Sequence, residues 1–203
     1  MQARLIRHGK TQGNAERRYI GRTDEPLSPA GREELLRTAP DPAVKRVFVS
    51  PYLRARETAS ILFPNAEQCV LPGLRETDFG DFEGKTADEM AEDPAYRAWV
   101  DGMCLGRCSG GESREDVTRR AVEAFTEAVR SVRKEKRGPE TGSEETDETV
   151  VFVTHGGVIM SILEALAVPH RDYYDYYVPN LGGWLADCAE KDGQLVLRDA
   201  RKE

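Results

Sequence analysis

Residues 3–14 read ARLIRHGKTQGN, a short apolar run that breaks directly into Arg7, His8 and Gly9. A strand ending this way delivers a fixed cation and a nitrogen nucleophile to one spot, and Gly9, without a side chain, lets backbone approach closely. The same break recurs twice. VKRVFVS ends at Ser50, and Pro51 is expected at the first position of a helix, YLRARETASILF, with Arg54 one turn in. TVVFVT at 149–154 is a β-branched run of the kind found in fully buried strands, and it breaks into His155, Gly156 and Gly157 before the helix VIMSILEALAV. Strands alternating with helices predict an α/β fold, a three-layer sandwich with a mainly parallel central sheet flanked by helices. Ligands of such sheets bind outside the carboxyl ends of the strands. That edge should gather Arg7, His8, Arg54 and His155, a set suited to a phosphate.

The remaining chain fits around this alternation. Residues 15–28 read as a loop, and Ser28 with Pro29 forms an N-cap and first-turn pair for a helix through Leu36, closed by Pro40 and Pro42. A short strand near 68–71 leads to LRETDFGDFEG, where Glu76 precedes turn-forming Asp and Gly residues. Residues 86–111 read as a broken helical stretch, with Met90, Tyr96, Trp99, Met103 and Leu105 either joining the core or walling a pocket as a lid. A long helix is expected from about 114 to 134, its apolar residues at helical spacing. Residues 138–149, GPETGSEETDET, hold five acids and no base and predict an acidic, mobile loop. The tail reads as a closing hairpin turning at 191–193.

At 203 residues the chain suits a single domain spanning 1–203. It has no apolar run near the roughly 18 residues of a membrane helix. Met1 leads almost at once into strand-like sequence, which leaves no room for a signal peptide and makes a cytoplasmic location the expectation. The four cysteines lack a completing cluster for a zinc site and read as reduced thiols. A net charge of −7 argues against a nucleic-acid surface. Residues 1–22 nonetheless carry six basic residues against Glu16 alone, a cluster that either draws an anionic substrate or forms a solvated basic face.

Two arginines and two histidines can stabilise a phosphoryl group in flight without a metal. A departing alkoxide also needs a proton. Glu76 is the candidate carboxyl, with Asp78, Asp81 and Glu83 as competitors whose like charges would raise the pKa of one member.

With Asn14 a few residues after RHG, and with SPYLRARETA, LRE and HGG following in order, the chain resembles the histidine phosphatase superfamily, also called phosphoglycerate mutase-like. The resemblance implies that His8 becomes a transient phosphohistidine. It further implies that Arg7, Arg54 and His155 hold the phosphate, that Asn14, Gly21 and Gly156 bind substrate, and that Glu76 is the general acid. No cofactor and no metal are implied. The partner would be a small anionic phosphomonoester, with neither nucleic acid nor membrane, and the protein a monomer or homodimer. RRYIGRTDEPLSPAGREEL and the chain's size look most like alpha-ribazole phosphatases. The alternatives are a cofactor-dependent phosphoglycerate mutase and a catalytically silent phosphate-binding module. Between Glu76 and Glu112 only Lys85, Arg97 and Arg107 are basic, which disfavours the mutase. Lys10, Tyr52 and Glu57 depart from common family residues and leave the implied chemistry intact.

Overall fold

Burial along the first strand decides how the molecule is layered. In the computed structural model, which describes residues 1–136 and 149–203, β1 (Gln2–Arg7) sends Ala3 and Leu5 into one apolar cluster and Ile6 into another. Successive side chains of a strand point to opposite faces, so both faces of the sheet are covered. β4 (Thr149–Thr154) behaves alike: Val150 and Phe152 join the first cluster, Val151 and Val153 the second. Its near-continuous burial is what the β-branched run predicts for a central strand.

The other elements follow in chain order. A four-residue helix α1 (Gln12–Ala15) precedes α2 (Pro29–Leu36), β2 (Arg46–Val49), α3 (Leu53–Leu62) and β3 (Glu67–Val70). Then come α4 (Pro94–Asp101) and α5 (Arg114–Lys136). After β4 follow α6 (Gly156–Leu166), a two-residue strand β5 (Ala167–Val168), β6 (Gly183–Lys191) and β7 (Gln194–Lys202). The seven strands run in the order β3-β2-β4-β1-β6-β7-β5. β3, β2, β4 and β1 are mutually parallel, whereas β6 is antiparallel to both β1 and β7. The sheet is therefore mostly parallel, with a hairpin completing one side. Asp192 and Gly193 turn that hairpin with both φ angles positive, as a two-residue turn requires.

Helices α5 and α6 supply Val117, Phe125, Ile159 and Ile162 to one cluster, and α3 supplies Ala55 and Ala59 to the other. Phe152 lies between Phe48 and Phe125, with ring centroids 5.3 and 4.7 Å away.

Several boundaries differ from the sequence expectation. Pro51 stands outside α3, whose N-cap is Tyr52, because Asp24 from the preceding loop accepts the Leu53 amide at 2.6 Å and starts the helix there. Helix α6 begins at Gly156 with His155 as N-cap, two residues early, and ends at Leu166 because Ala167 and Val168 pair with Leu197 and Arg198. Asn14, read at the edge of a loop, lies in α1, closed by a capping box with Thr11. Thr149 opens β4, while the rest of the expected acidic loop, 138–148, lies outside the described residues. In 86–111 the helical content reduces to a 3₁₀ turn at Asp88–Met90 and α4. No helix among the described residues is long and apolar enough to cross a membrane.

Candidate active site

Three adjacent parallel strands, β2, β4 and β1, set the site by register. Arg7 pairs with Thr154, and Val49 with Val153, so the residues that follow emerge side by side at the carboxyl edge. The His8 amide donates to the Thr154 carbonyl at 2.9 Å, carrying the ladder one step beyond the strand. His8 and His155 are both buried, with ring centroids 5.0 Å apart.

The hydrogen bonds of each ring fix its tautomer. His8 Nδ1 lies 2.6 Å from the Gly9 carbonyl, which can only accept, so Nδ1 carries the proton and Nε2 keeps its lone pair. His155 Nδ1 accepts from Arg54 Nε at 3.4 Å, so its Nε2–H donates to Ser50 Oγ at 2.7 Å. Burial, reinforced by Arg54 and then Arg7, holds the His8 pKa well below its ordinary value. His155 is lowered in the same way by burial and then by Arg54 and its neighbours. Both imidazoles are neutral near pH 7, and His8 presents a free nitrogen.

Arg54 is 1% exposed and clamped: Nη1 donates to the Thr23 carbonyl at 2.8 Å, Nη2 to that of Gly21 at 2.9 Å, and the guanidinium lies 4.7 Å from the Tyr52 ring centroid. Arg7 Nη1 donates to the Val178 carbonyl at 2.9 Å, while its Nε is buried and makes no hydrogen bond within the described residues. A Cβ on Gly156 would stand in ordinary contact, 3.4 Å, with the Arg7 guanidinium carbon, so α6 begins directly against that cation. The first amides of α6 have no intrahelical acceptors, and His155 caps none of them. A cation with an unpaired donor, a second cation and a helix N-terminus thus surround the two imidazoles, an arrangement that favours a phosphate.

Glu76 sits at the rim, with Oε1 accepting the Thr77 amide at 2.8 Å. Gly157 leaves it room, since a Cβ there would come within 2.8 Å of that oxygen. The 75–78 segment is tied to α5 through Glu112 and Arg120. Glu112 accepts from Arg120 Nε at 2.9 Å, Arg120 Nη2 at 2.8 Å, Arg75 Nη2 at 2.8 Å and the Asp78 amide at 3.0 Å, and Arg120 Nη2 also donates to the Glu76 carbonyl at 3.1 Å. Burial acts to raise the Glu112 pKa, but the hydrogen bonds from Arg120 and the Asp78 amide outweigh it and hold the carboxyl below its usual range.

The competing acids serve elsewhere. Glu83 accepts the Gly21 and Thr23 amides, Asp81 the Ser109 hydroxyl at 2.6 Å, and Asp78 the Gly80 amide at 2.9 Å. The like-charge cluster expected to tune Glu76 is thereby dispersed into backbone support. Gly21 also needs correcting as a substrate ligand. Its amide is committed to Glu83 at 2.9 Å, a Cβ would stand 1.9 Å from the Thr77 carbonyl oxygen, and its own carbonyl holds Arg54. Much of the N-terminal basic cluster is paired: Arg4 with Glu203, Lys10 with Glu34, Arg18 with Glu16 and Glu89, and Arg22 with Asp78 at 3.6 Å, while Arg7 reaches the site.

Sequence reasoning missed Ser50, Thr58 and Asn180. Thr58 Oγ1 accepts the Gly9 amide at 3.0 Å and donates to the Arg54 carbonyl at 2.6 Å, so this α3 residue ties the segment after β1 to the helix that carries Arg54. Asn180 Nδ2 donates to the His8 carbonyl at 3.0 Å and to Asn14 Oδ1 at 3.1 Å, and it approaches the Gly9 carbonyl at 3.5 Å. It thereby turns the Asn14 amide so that Nδ2 is the end left for a ligand, and it braces the carbonyl that fixes the His8 tautomer. No motif marks it; Asn after Pro179 in a tail loop reads only as a turn. Asn180→Ala should lower kcat by about 10²-fold with little change in KM, since small misplacement of a reacting group costs that much. Ring ¹⁵N shifts of His8 should show a mixed tautomer, and unchanged shifts with unchanged kcat would sink this role.

The sequence profile of the histidine phosphatase superfamily (branch 1) matches residues 4–199. A glucosyl-3-phosphoglycerate phosphatase of Mycolicibacterium vanbaalenii is 36% identical over 169 residues, covering 80% of this chain and 72% of the relative. A solved mycobacterial glucosyl-3-phosphoglycerate phosphatase in complex with VO3 has a TM-score of 0.75 at 28% identity, covering 100% of this chain and 97% of its own. An alpha-ribazole phosphatase from Shigella flexneri shares the fold with a TM-score of 0.77 at 23% identity, over 98% of this chain and 95% of its own. The chain belongs to the histidine phosphatase superfamily. Its enzyme class is phosphoric monoester hydrolase.

Proposed function

We propose that the protein is a metal-independent phosphomonoesterase working through a phosphohistidine on a small phosphorylated metabolite. The observation that carries this is the state of His8. Its Nδ1–H is held by the Gly9 carbonyl, its Nε2 is unprotonated, and Arg7 keeps an unpaired, buried Nε nearby. In the first step Nε2 attacks phosphorus in line, the N–P bond forming as the P–O bond to the leaving group breaks, and Glu76 gives its proton to the departing oxygen. In the second, water attacks phosphorus, Glu76 takes a proton from it, and His8 and inorganic phosphate are released. Arg7, Arg54 and the amides of Gly156 and Gly157 carry the charge of the equatorial oxygens, with Asn14 Nδ2 assisting. The long bond from Arg54 to His155 Nδ1 is the one phosphate would replace; Ser50 then donates to Nε2 and His155 Nδ1–H to phosphate.

Apolar clusters on both faces of the sheet support a three-layer sandwich and one domain over 1–203, with 86–111 as a lid. The protein acts in the cytoplasm as a monomer or homodimer. Among named substrates, alpha-ribazole 5′-phosphate remains the narrower candidate, supported by likeness of fold. Purified protein should hydrolyse p-nitrophenyl phosphate, keep its rate in EDTA and lose it to micromolar vanadate. Restoration of a chelated enzyme by zinc or magnesium would overturn the metal-free scheme, and no turnover at all would favour the silent module.

A further inference from the structure

We infer that the leaving-group side of the site selects phosphate esters whose leaving group carries an uncharged flat ring over those of simple sugars or carboxylates. This rests on the phosphatase reading and deepens it. A cavity of about 260 Å³ shares Glu76 and Gly157 with the phosphate site and lies between the lid, α5 and the loop after α6. Aromatic side chains dominate its wall: Tyr19, Phe79, Trp99, Tyr173 and Tyr174, with Met160 beside them. Of the tyrosines in the loop after α6, Tyr177 is exposed and Tyr176 is buried in the core. Tyr173 and Tyr174 instead face this cavity.

What the walls offer a ligand follows from where their polar atoms already point. Tyr19 and Tyr96 share a hydroxyl bond of 2.9 Å, Trp99 Nε1 donates to the Gly106 carbonyl at 3.2 Å, and the Tyr173 hydroxyl donates to the Gly157 carbonyl at 3.3 Å. The rings therefore turn π-faces and edges toward the cavity and keep their donors for the protein. Tyr19 and Phe79 meet edge to face with centroids 5.1 Å apart, as do Tyr173 and Tyr174 at 5.1 Å, so the surface is preassembled.

Arg114 is the one basic residue lining the cavity, and its charge is engaged. The guanidinium lies 3.9 Å from the Tyr173 ring centroid, Nη2 donates to the Met103 carbonyl at 2.7 Å, and Nη1 stands 4.0 Å from Glu164. A carboxylate on the leaving group would find no free cation there and would face Glu76 and Glu112. A sugar would bring hydroxyls with few partners and lose their water. Ser161 Oγ, buried at the cavity wall beside the Tyr173 hydroxyl, makes no well-formed hydrogen bond among the described residues. It suits a single heteroatom at the edge of a ring.

The test is binding of three phosphonates to the full chain by calorimetry, since none of them can be hydrolysed. Benzylphosphonate should bind roughly tenfold or more tighter than methylphosphonate, and phosphonoacetate no tighter than methylphosphonate. Trp99→Leu and Phe79→Leu, which keep apolar volume, should each narrow the benzyl-to-methyl ratio. Equal affinity for benzyl and methyl, or tightest binding of phosphonoacetate, would overturn the inference. Turnover of p-nitrophenyl phosphate by the same preparation judges the phosphatase reading separately.

Discussion

His8→Ala removes phosphatase turnover by roughly 10⁴-fold or more, the scale on which enzymes lose rate with their nucleophile, while far-UV circular dichroism stays native. The side chain is buried at a strand end, and neither apolar cluster includes it, so the sheet does not need its volume. Acid-labile phosphate should be trapped on the native protein after quenching and be missing from the mutant; equal labelling of both would remove His8 from the mechanism. The same residue also writes a pH signature into stability. His8 and His155 are held neutral in the fold, with pKa values well below the ordinary one, whereas an unfolded chain protonates both as pH falls below about 6.5. The unfolded state then binds more protons, so stability is fully present above that pH and is lost as pH drops toward the folded pKa values. His8→Ala should flatten that decline in a urea titration between neutral and acidic buffers, and an unchanged slope would contradict the depressed pKa.

Glu76→Gln should divide substrates by the basicity of what departs. An alkoxide needs its proton in the transition state, and general acid catalysis contributes about 10²- to 10⁴-fold. A nitrophenolate needs little help. Single-turnover phosphorylation of His8 by benzyl phosphate should therefore slow by that order, and by p-nitrophenyl phosphate far less. Steady-state rates can conceal the contrast, because in the proposed scheme the same carboxylate would also activate water in the second step. Equal slowing of both phosphorylations, or of neither, would exclude Glu76 as the acid. The successor could not be Asp78, Asp81 or Glu83 without breaking the contacts that hold Gly80, Ser109 and Gly21.

Much of this was legible because the decisive signals are local. An apolar run ending in Arg7 and His8, and a β-branched run ending in His155, carry their own strand character, and parallel pairing then brings their ends together. Arg54 was legible for the same reason, although the helix that bears it starts later than Pro51 suggests, since its first amide, at Leu53, is held by Asp24, 29 positions away. Long-range partners are what single-sequence reading cannot supply. Asn180 reaches His8 across 172 positions, and Glu112 reaches Arg75 across 37, with no periodic pattern to announce either. The basic cluster, which left an anion-drawing patch and a solvated face both open, is decided by the same long-range partners. Its charges are close in sequence, yet Arg4 meets Glu203 and Arg18 meets Glu89, pairings that only the folded chain creates.

The placement of β1 between β4 and β6 governs when the site can come into being. Every ladder bond of that strand is made with residues from 149–154 on one side and 183–187 on the other. Synthesis runs from the N- to the C-terminus, so the segment bearing His8 emerges 147 positions ahead of its partners in β4 and until then has no sheet neighbour. Its second edge closes only when the final hairpin arrives, and that hairpin follows directly on the loop that brings Asn180 to His8. Contacts of such sequence separation form slowly. A nascent chain carrying His8 therefore lacks the neighbours, Thr154 and Asn180, that hold that residue in the folded protein.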